Sequence, residues 1–339
     1  MCKSLDDKLA RIAADSSCRD FILADAKDAD MALGLSATGP QPGSGEAKPA
    51  YRTLQEFREQ IREIARQRLV DIMLMSASTN ELLTIRERLF DSSSVTPAIR
   101  ANDTTDIWLA GRSESYGKHP SLPFRTAAID HAMCGHVDCQ PEERKLGTDL
   151  GLYSITLNNN TLQDRETLGA YRDFRLEAEQ KGFRHFLEVF SPNAPTALRQ
   201  EDVPRFVNDS IVRLLAGVAS AGRPIFLKMP YYGPAAMEQL VTYDSSLVVG
   251  ILGGAAGTTH DAFHMLWEAK KYGARAALYG RKINLAEHQL TFVRYLRVLA
   301  DGELEPGEAV KSYHADLAKL KIAPTRAIAQ DMELTYRAG

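Results

Sequence analysis

From about residue 145 onward the chain alternates short apolar runs with longer amphipathic stretches, five times in succession. No other feature constrains the fold as much, because this rhythm is the signature of parallel strands covered by helices. LGLYSITL (150–157) leads into LQDRETLGAYRDFRLEAEQKG, and FRHFLEVF (183–190) leads into VPRFVNDSIVRLLAGVASAGR. Each of these helical stretches meets a glycine, the usual stop signal. The cycle then repeats with PIFLKMPYYG and a short helix from Pro234, with SLVVGILGG and a helix from Thr258 to Tyr272, and with ARAALYGR and a helix from Asn284.

Three more strands would close an eightfold barrel, and the amino-terminal half offers DFILADA (20–26), VDIMLM (70–75) and VTPAIRA (95–101). Between the first two, Leu54, Phe57, Ile61, Ile64 and Ala65 fall on one face of a helical stretch with charges opposite. The expected fold is therefore an α/β (β/α)8 TIM barrel, one domain over residues 1–339. It carries an added amino-terminal helix, an irregular insertion near 102–145 and an extra carboxyl-terminal helix starting at Pro306. In the insertion, FRTAAIDHAMC reads equally as a strand or a short helix. ATGPQPGSGEAKP (37–49) reads as a mobile loop over the mouth of the barrel. A doubly wound open sheet is the rival, but no GxGxxG turn follows the first strand and no GxxxxGK loop occurs.

Composition narrows the function classes. Lys plus Arg number 41 against 44 acids, a formal charge of -3, so there is no broad electrostatic footprint for nucleic acid or an anionic membrane. No apolar run approaches the roughly 18 residues that span a bilayer, and the amino terminus lacks the pattern of a secretory signal. A cytoplasmic protein is expected. The four cysteines, Cys2, Cys18, Cys134 and Cys139, are too few and uneven for a disulfide framework. His131, Cys134, His136 and Cys139 crowd into nine residues, but their spacing matches no standard zinc pattern. Two buried thiols beside surface histidines are expected there, with neither metal nor disulfide, and no cofactor is expected.

Function in such a barrel lies at the carboxyl ends of the strands, so polar residues within the apolar runs matter most. They are Asp25 and Lys27 in FILADAKDAD, Glu188 in HFLEVF, Lys228 in IFLKMPYYG and Arg281 in ALYGRK. A lysine following Ile225, Phe226 and Leu227 must leave the core or be partly desolvated in it, and desolvation disfavours its charge. A neutral amine attacks carbonyls and forms an imine. Snorkelling, or pairing with Glu188, would equally satisfy that lysine. Glycines 250, 253, 254 and 280, beside Arg281, sit where barrels commonly bind phosphate, although glycines at strand ends also serve as plain turn residues.

Together these segments resemble the class I aldolases of the tagatose-bisphosphate, archaeal-type fructose-bisphosphate and deoxyribose-phosphate group, from Asp20 to about Ala300. The resemblance implies catalytic roles for Lys228 as the Schiff-base lysine, for Glu188 on the fifth strand and for Asp25 on the first. It implies phosphate contacts from Gly253, Gly254, Gly280 and Arg281; Lys27, a polar residue at the end of the first strand, and Tyr231, which with Tyr232 stands just past the lysine where a proton relay could act, complete the candidate substrate contacts. Relatives commonly place a proton-transferring lysine or tyrosine on strand four, whereas this chain has Tyr153-Ser154-Ile155-Thr156. The implied reaction is carbon–carbon cleavage of a small, phosphorylated hydroxy-ketone or aldehyde, the implied partner a sugar phosphate, and the expected assembly a homo-oligomer. Two other functions fit the same residues: a metal-dependent barrel enzyme built on the His131 to Cys139 cluster, and an aldolase-like barrel that binds sugar phosphates without turnover.

Overall fold

In the computed structural model, which describes residues 2–15, 17–41, 50–108, 118–254 and 257–335, eight parallel strands close into a barrel. Helix α1 (Ser4–Ala14) precedes strand β1 (Ile22–Lys27), and α2 (Leu54–Gln67) leads to β2 (Ile72–Met75) and β3 (Thr96–Arg100). After the crossover come β4 (Leu150–Thr156), α3 (Thr161–Lys181), β5 (Arg184–Phe190), α4 (Val203–Ala216), β6 (Leu227–Met229) and α5 (Pro234–Tyr243). The chain ends with β7 (Val249–Leu252), α6 (Thr259–Lys271), β8 (Ala276–Tyr279), α7 (Gln289–Asp301) and α8 (Pro306–Lys319). Each strand pairs with its sequence neighbours, and β8 returns to β1. All eight strands expected from the sequence are present. No helix among the described residues is long and apolar enough to cross a membrane.

Because strand side chains alternate, each strand contributes to two separate cores. Ile22, Ala24 and Ala26 of β1, Leu150 and Leu152 of β4, Phe186 of β5 and Phe226 just before β6 fill the barrel itself. Leu23, Tyr153, Leu187, Leu227 and Met229 face the helices. Phe186 and Phe226 stack at 4.5 Å between ring centroids inside the barrel. Below them α1 closes the amino-terminal end, with Leu5 fully buried in the same interior cluster.

The helices keep their sequence signals. Thr53 and Glu56 form a capping box at the start of α2, and Gly182, in the left-handed region at φ 67°, ends α3. Leu54 departs from expectation: it is exposed, because as the first residue of α2 it projects past the barrel wall that covers Phe57, Ile61, Ile64 and Ala65. The helix after β5 stops at Gly217 rather than running on to Arg223, and the helix after β8 starts at Gln289, after a five-residue turn of helix (Arg281–Leu285). Most of the 37–49 loop lies outside the described residues.

Between β3 and β4 the described residues hold no long helix. A two-residue ladder pairs Asp103–Thr104 with Pro123–Phe124, and a single helical turn spans Ile129–Met133. FRTAAIDHAMC thus supplies Phe124 to the short ladder and the helical turn Ile129–Met133. That turn is anchored to the barrel's connections by Asn80, which donates to the Ala132 carbonyl at 3.0 Å, and by Thr148, whose N–H donates to the same carbonyl.

The stacked phenylalanines fill the barrel directly beneath its mouth, so truncating one leaves a void that rigid strands cannot collapse around. Phe226→Ala should lower the unfolding free energy by about 3–5 kcal/mol, read from denaturant unfolding.

Candidate active site

At the carboxyl ends of the strands lies a cavity of about 250 Å³ lined by Asp28, Arg100, Asp106, Glu188, Lys228 and Arg281, with Gly253, Gly254 and Gly280 in its wall. Strand register explains the grouping. Ser154, Glu188, Lys228, Gly250 and Ala276 follow one another as paired positions on β4 to β8, all pointing inward. Phe186 on β5 and Phe226 just before β6 sit two residues earlier, one inward step below Glu188 and Lys228. At Gly250, a Cβ would come within 2.6 Å of the Leu227 carbonyl oxygen and 2.8 Å of the Ala276 Cβ. That position must stay small beside Lys228.

The centre of the site is an ion pair: Lys228 Nζ lies 2.6 Å from Glu188 Oε1, with both side chains nearly excluded from solvent. The other carboxylate oxygen of Glu188 accepts a hydrogen bond from Ser154 Oγ at 2.6 Å. Ser154 Oγ in turn accepts from Arg100 Nη2 at 3.3 Å. Arg100 also donates through Nη1 to Asp28 Oδ2 at 2.9 Å and through Nε to the Asn102 carbonyl at 3.0 Å. Burial opposes the charge of Arg100, but Asp28 and then Glu188 outweigh it and hold its pKa above the ordinary arginine value. A continuous chain of contacts therefore runs from Asp28 through Arg100, Ser154 and Glu188 to the lysine amine.

Across the cavity, Arg281 stands exposed at the rim on the first residue after Gly280. Among the described residues its guanidinium has no hydrogen bond or ion pair; partial burial lowers its pKa, opposed by the charge of Glu188. Gly253 plays a different part from the one expected of it. Its N–H is committed to the Leu278 carbonyl at 2.8 Å, and a Cβ there would strike the Tyr279 ring at 2.2 Å. It supplies room rather than a donor.

Three sequence-predicted residues fall elsewhere, and strand parity is the reason. Ala24 and Ala26 point into the barrel, so Asp25 and Lys27 point out of it, into the layer between strands and helices. There Lys27 Nζ lies 3.3 Å from Asp25 Oδ2, donates to Gln289 Oε1 at 2.9 Å and contacts Asn284 Oδ1. Neither residue lines the cavity; Asp28, the next inward position past β1, does. Burial pushes the Asp25 carboxyl up to about 6 against the opposing pull of Lys27, while burial lowers the pKa of Lys27. Tyr231 likewise shares the parity of Leu227 and Met229 and packs into the outer core.

Arg100, Asp28 and Ser154 were missed in the sequence. Arg100 carried the same signal as Lys228, a single charge ending an apolar strand (VTPAIR), and Asp28 could have been found by counting parity from Ala24 and Ala26. Ser154 gave no signal, since a serine in a strand is unremarkable. On strand four the inward residue is Ser154, while Tyr153 stacks on Phe174 in the helical layer. Of the insertion cluster, Cys134 and Cys139 are buried and unbridged, and His131 and His136 are exposed; none of the four lines the cavity.

No family model matches the chain, and no curated protein matches it. Solved structures do share its architecture. The chain is similar to a fructose-bisphosphate aldolase from Slackia heliotrinireducens, with a TM-score of 0.62, 13% identity and 91% of each chain covered. It is similar also to an archaeal fructose 1,6-bisphosphate aldolase, with a TM-score of 0.58 and 17% identity over 88% of this chain and 100% of that one. A third is an archaeal fructose-1,6-bisphosphate aldolase whose catalytic lysine is covalently bound to a carbinolamine intermediate, with a TM-score of 0.58 and 18% identity over 88% and 99%. At these identities the likeness establishes a shared barrel fold.

The outward placement of Asp25 has a measurable consequence. Folding raises its pKa from 3.8 to about 6, so between those values the folded chain holds a proton that the unfolded chain has released. This group's contribution to stability is greatest at the acid side and is lost as pH climbs from about 4 to about 6. Unfolding free energies measured across that window should show a falling term in the wild type that Asp25→Asn lacks.

Proposed function

We propose that this chain is a class I, metal-independent aldolase that forms a Schiff base between Lys228 and the carbonyl of a small, phosphorylated hydroxy-ketone or aldehyde. The 2.6 Å contact between Lys228 Nζ and Glu188 Oε1, inside a cavity faced by an uncommitted arginine, is the observation that carries this reading. The shared fold supports it, since a solved neighbour of the same architecture carries a carbinolamine on its catalytic lysine.

The chemistry follows from the contacts. Transfer of a proton from Lys228 to Glu188 Oε1 leaves a neutral amine beside a carboxylic acid. The amine lone pair forms a C–N bond to the substrate carbonyl, and a proton moves from the newly charged nitrogen to the oxygen to give a carbinolamine. Glu188 returns its proton to that hydroxyl, water leaves, and an iminium remains. The iminium accepts the electron pair of the bond between the α and β carbons as the Glu188 carboxylate, which gave up its proton to the departing water, takes the proton of the β hydroxyl. An aldehyde departs and an enamine stays on Lys228. Protonation of the enamine and hydrolysis of the resulting iminium release the second product and restore the amine.

Other groups position these steps. Ser154, held by Arg100, fixes the second oxygen of Glu188 so that the first faces the amine. Asp28 takes the catalytic role that the family resemblance implied for Asp25, holding a substrate hydroxyl, because it is the residue that reaches the cavity. Arg281 binds the substrate phosphate as a two-pronged donor at the rim. The reading built on metal chemistry at the His131 to Cys139 cluster is not favoured, since that cluster lies in the β3–β4 crossover and not at the mouth.

Borohydride reduction in the presence of a panel of ketose and aldose phosphates, followed by peptide mass spectrometry, tests the proposal. A reduced adduct should map to Lys228. Lys228→Arg keeps a positive charge opposite Glu188 but has no nucleophilic amine, so trapping should vanish with the fold retained. Glu188→Gln should slow imine formation by about 10²- to 10⁴-fold. Arg281→Ala should weaken binding of phosphorylated ligands while leaving Lys228 reactive toward small unphosphorylated aldehydes. An adduct that persists in Lys228→Arg would refute the assignment.

A further inference from the structure

The β3–β4 crossover gathers two buried thiols and a carboxylate at one point, among residues that do not line the cavity. The sulfurs of Cys134 and Cys139 and a carboxylate oxygen of Glu143 all lie within 4.8 Å of one another. From this geometry we infer that the crossover holds a structural zinc-class divalent metal ion, ligated by Cys134, Cys139 and Glu143, with His136 completing the set.

The backbone of the segment is shaped for it. Gly135 at φ 89° and Asp138 at φ 57° are both left-handed, and they fold the four residues between the cysteines into a tight loop that turns both thiols to the same side. Asp130 braces this loop: its Oδ2 accepts the Asp138 N–H at 3.1 Å, and its Oδ1 is tied to Lys181 of α3 at 2.6 Å. Glu143 is folded back by the next turn, where its Oε2 accepts the Gln140 N–H at 3.0 Å. His136 is exposed, with Nδ1 2.8 Å from the Val137 carbonyl and Nε2 3.3 Å from Glu143 Oε1, and it joins the set by exchanging the Glu143 contact for the ion. His131 takes no part.

The ligand chemistry selects the ion. Two thiolates with one imidazole and one carboxylate suit a four-coordinate borderline-soft cation, with metal–sulfur bonds of about 2.3 Å. Tetrahedral geometry at such bond lengths needs donor atoms roughly 3.3–3.8 Å apart, a contraction of at most about 1.5 Å from the arrangement seen. The thiols have little to lose by it: Cys134 Sγ donates to the His136 carbonyl at 3.4 Å and Cys139 Sγ to the Gln140 carbonyl at 3.8 Å, both weak bonds. Solvent reaches the point past the exposed His136, which gives the ion an entry path. The crossover is also where a crosslink would act most, since among its described residues no long helix provides internal hydrogen bonds. Spacing alone pointed away from metal because the pattern omitted Glu143, which only the fold brings to the thiols.

The full-length chain, purified under reductant and stripped with chelator, should be titrated with Co²⁺ alone. One ion per chain should bind with the near-ultraviolet thiolate-to-cobalt absorption and the visible bands of a tetrahedral site, and Zn²⁺ should displace it. Cys134→Ser and Cys139→Ser should each weaken binding by roughly 100-fold or more, and Glu143→Gln should weaken it while keeping the thiolate band. Chelation should lower the thermal midpoint of the wild type but not of Cys139→Ser, and it should leave the trapping chemistry of Lys228 unchanged. Absence of the thiolate band in the folded, reduced wild type would overturn the proposal. So would a Cys134–Cys139 disulfide that metal does not prevent, or a band that survives in Cys139→Ser. Should a cysteine variant fail to fold, the wild-type titration and Glu143→Gln still decide.

Discussion

A lysine and a glutamate held 2.6 Å apart at the top of a closed apolar barrel are what the surrounding architecture has to accommodate. Taking two charges out of water costs several kcal/mol for each, and a pair so placed is commonly no more stable than apolar side chains of the same volume. Stability does not account for it. The pair persists because neighbouring strands fix both backbones in register, because two stacked phenylalanines leave no lower position to sink into, and because Ser154 and Arg100 satisfy the second carboxylate oxygen. An amine and an acid kept this close, partly dry and unable to relax apart are preorganised for proton exchange, which is what imine formation demands.

The cavity is balanced in charge, yet its cations are not equivalent. Arg100 is fully enclosed and committed to Asp28, Ser154 and the Asn102 carbonyl, so it serves as a strut. Among the described residues, Lys228 is paired with Glu188 alone. Arg281, at the rim, is committed to nothing among the described residues. This gradient from locked to free, running from β3 to β8, gives the site a direction. In the proposed reaction the chemistry takes place at its enclosed centre, and the anionic end of the substrate is bound at its open edge.

The two faces of β1 illustrate how little separates a site residue from a structural one. Asp25 and Lys27 are as polar and as buried as Glu188 and Lys228, and they too form a pair, but a single step of strand parity turns them into the helical layer. The crossover after β3 is the other irregular feature. It departs from the alternating plan of the barrel, and its cysteines, acids and left-handed turns are organised around their own small centre rather than around the mouth.

Much of this protein was legible in its sequence. Eight short apolar runs separated by amphipathic stretches admit few arrangements other than a closed parallel barrel, because strands buried on both faces and covered by helices have almost no other way to satisfy their backbone hydrogen bonds and apolar surface. Lys228, Glu188 and Arg281 stood out as charges that an apolar strand end must place somewhere. What the sequence could not decide was direction and company. Whether Asp25 or Asp28 faces the cavity depends on parity counted from the strand's true start. That Ser154 reaches Glu188 depends on register across β4 and β5, and that Glu143 meets two cysteines depends on turns with no regular period. Spacing along the chain reveals which residues repeat; only the packed fold, by fixing register and closing the barrel, determines which of them touch.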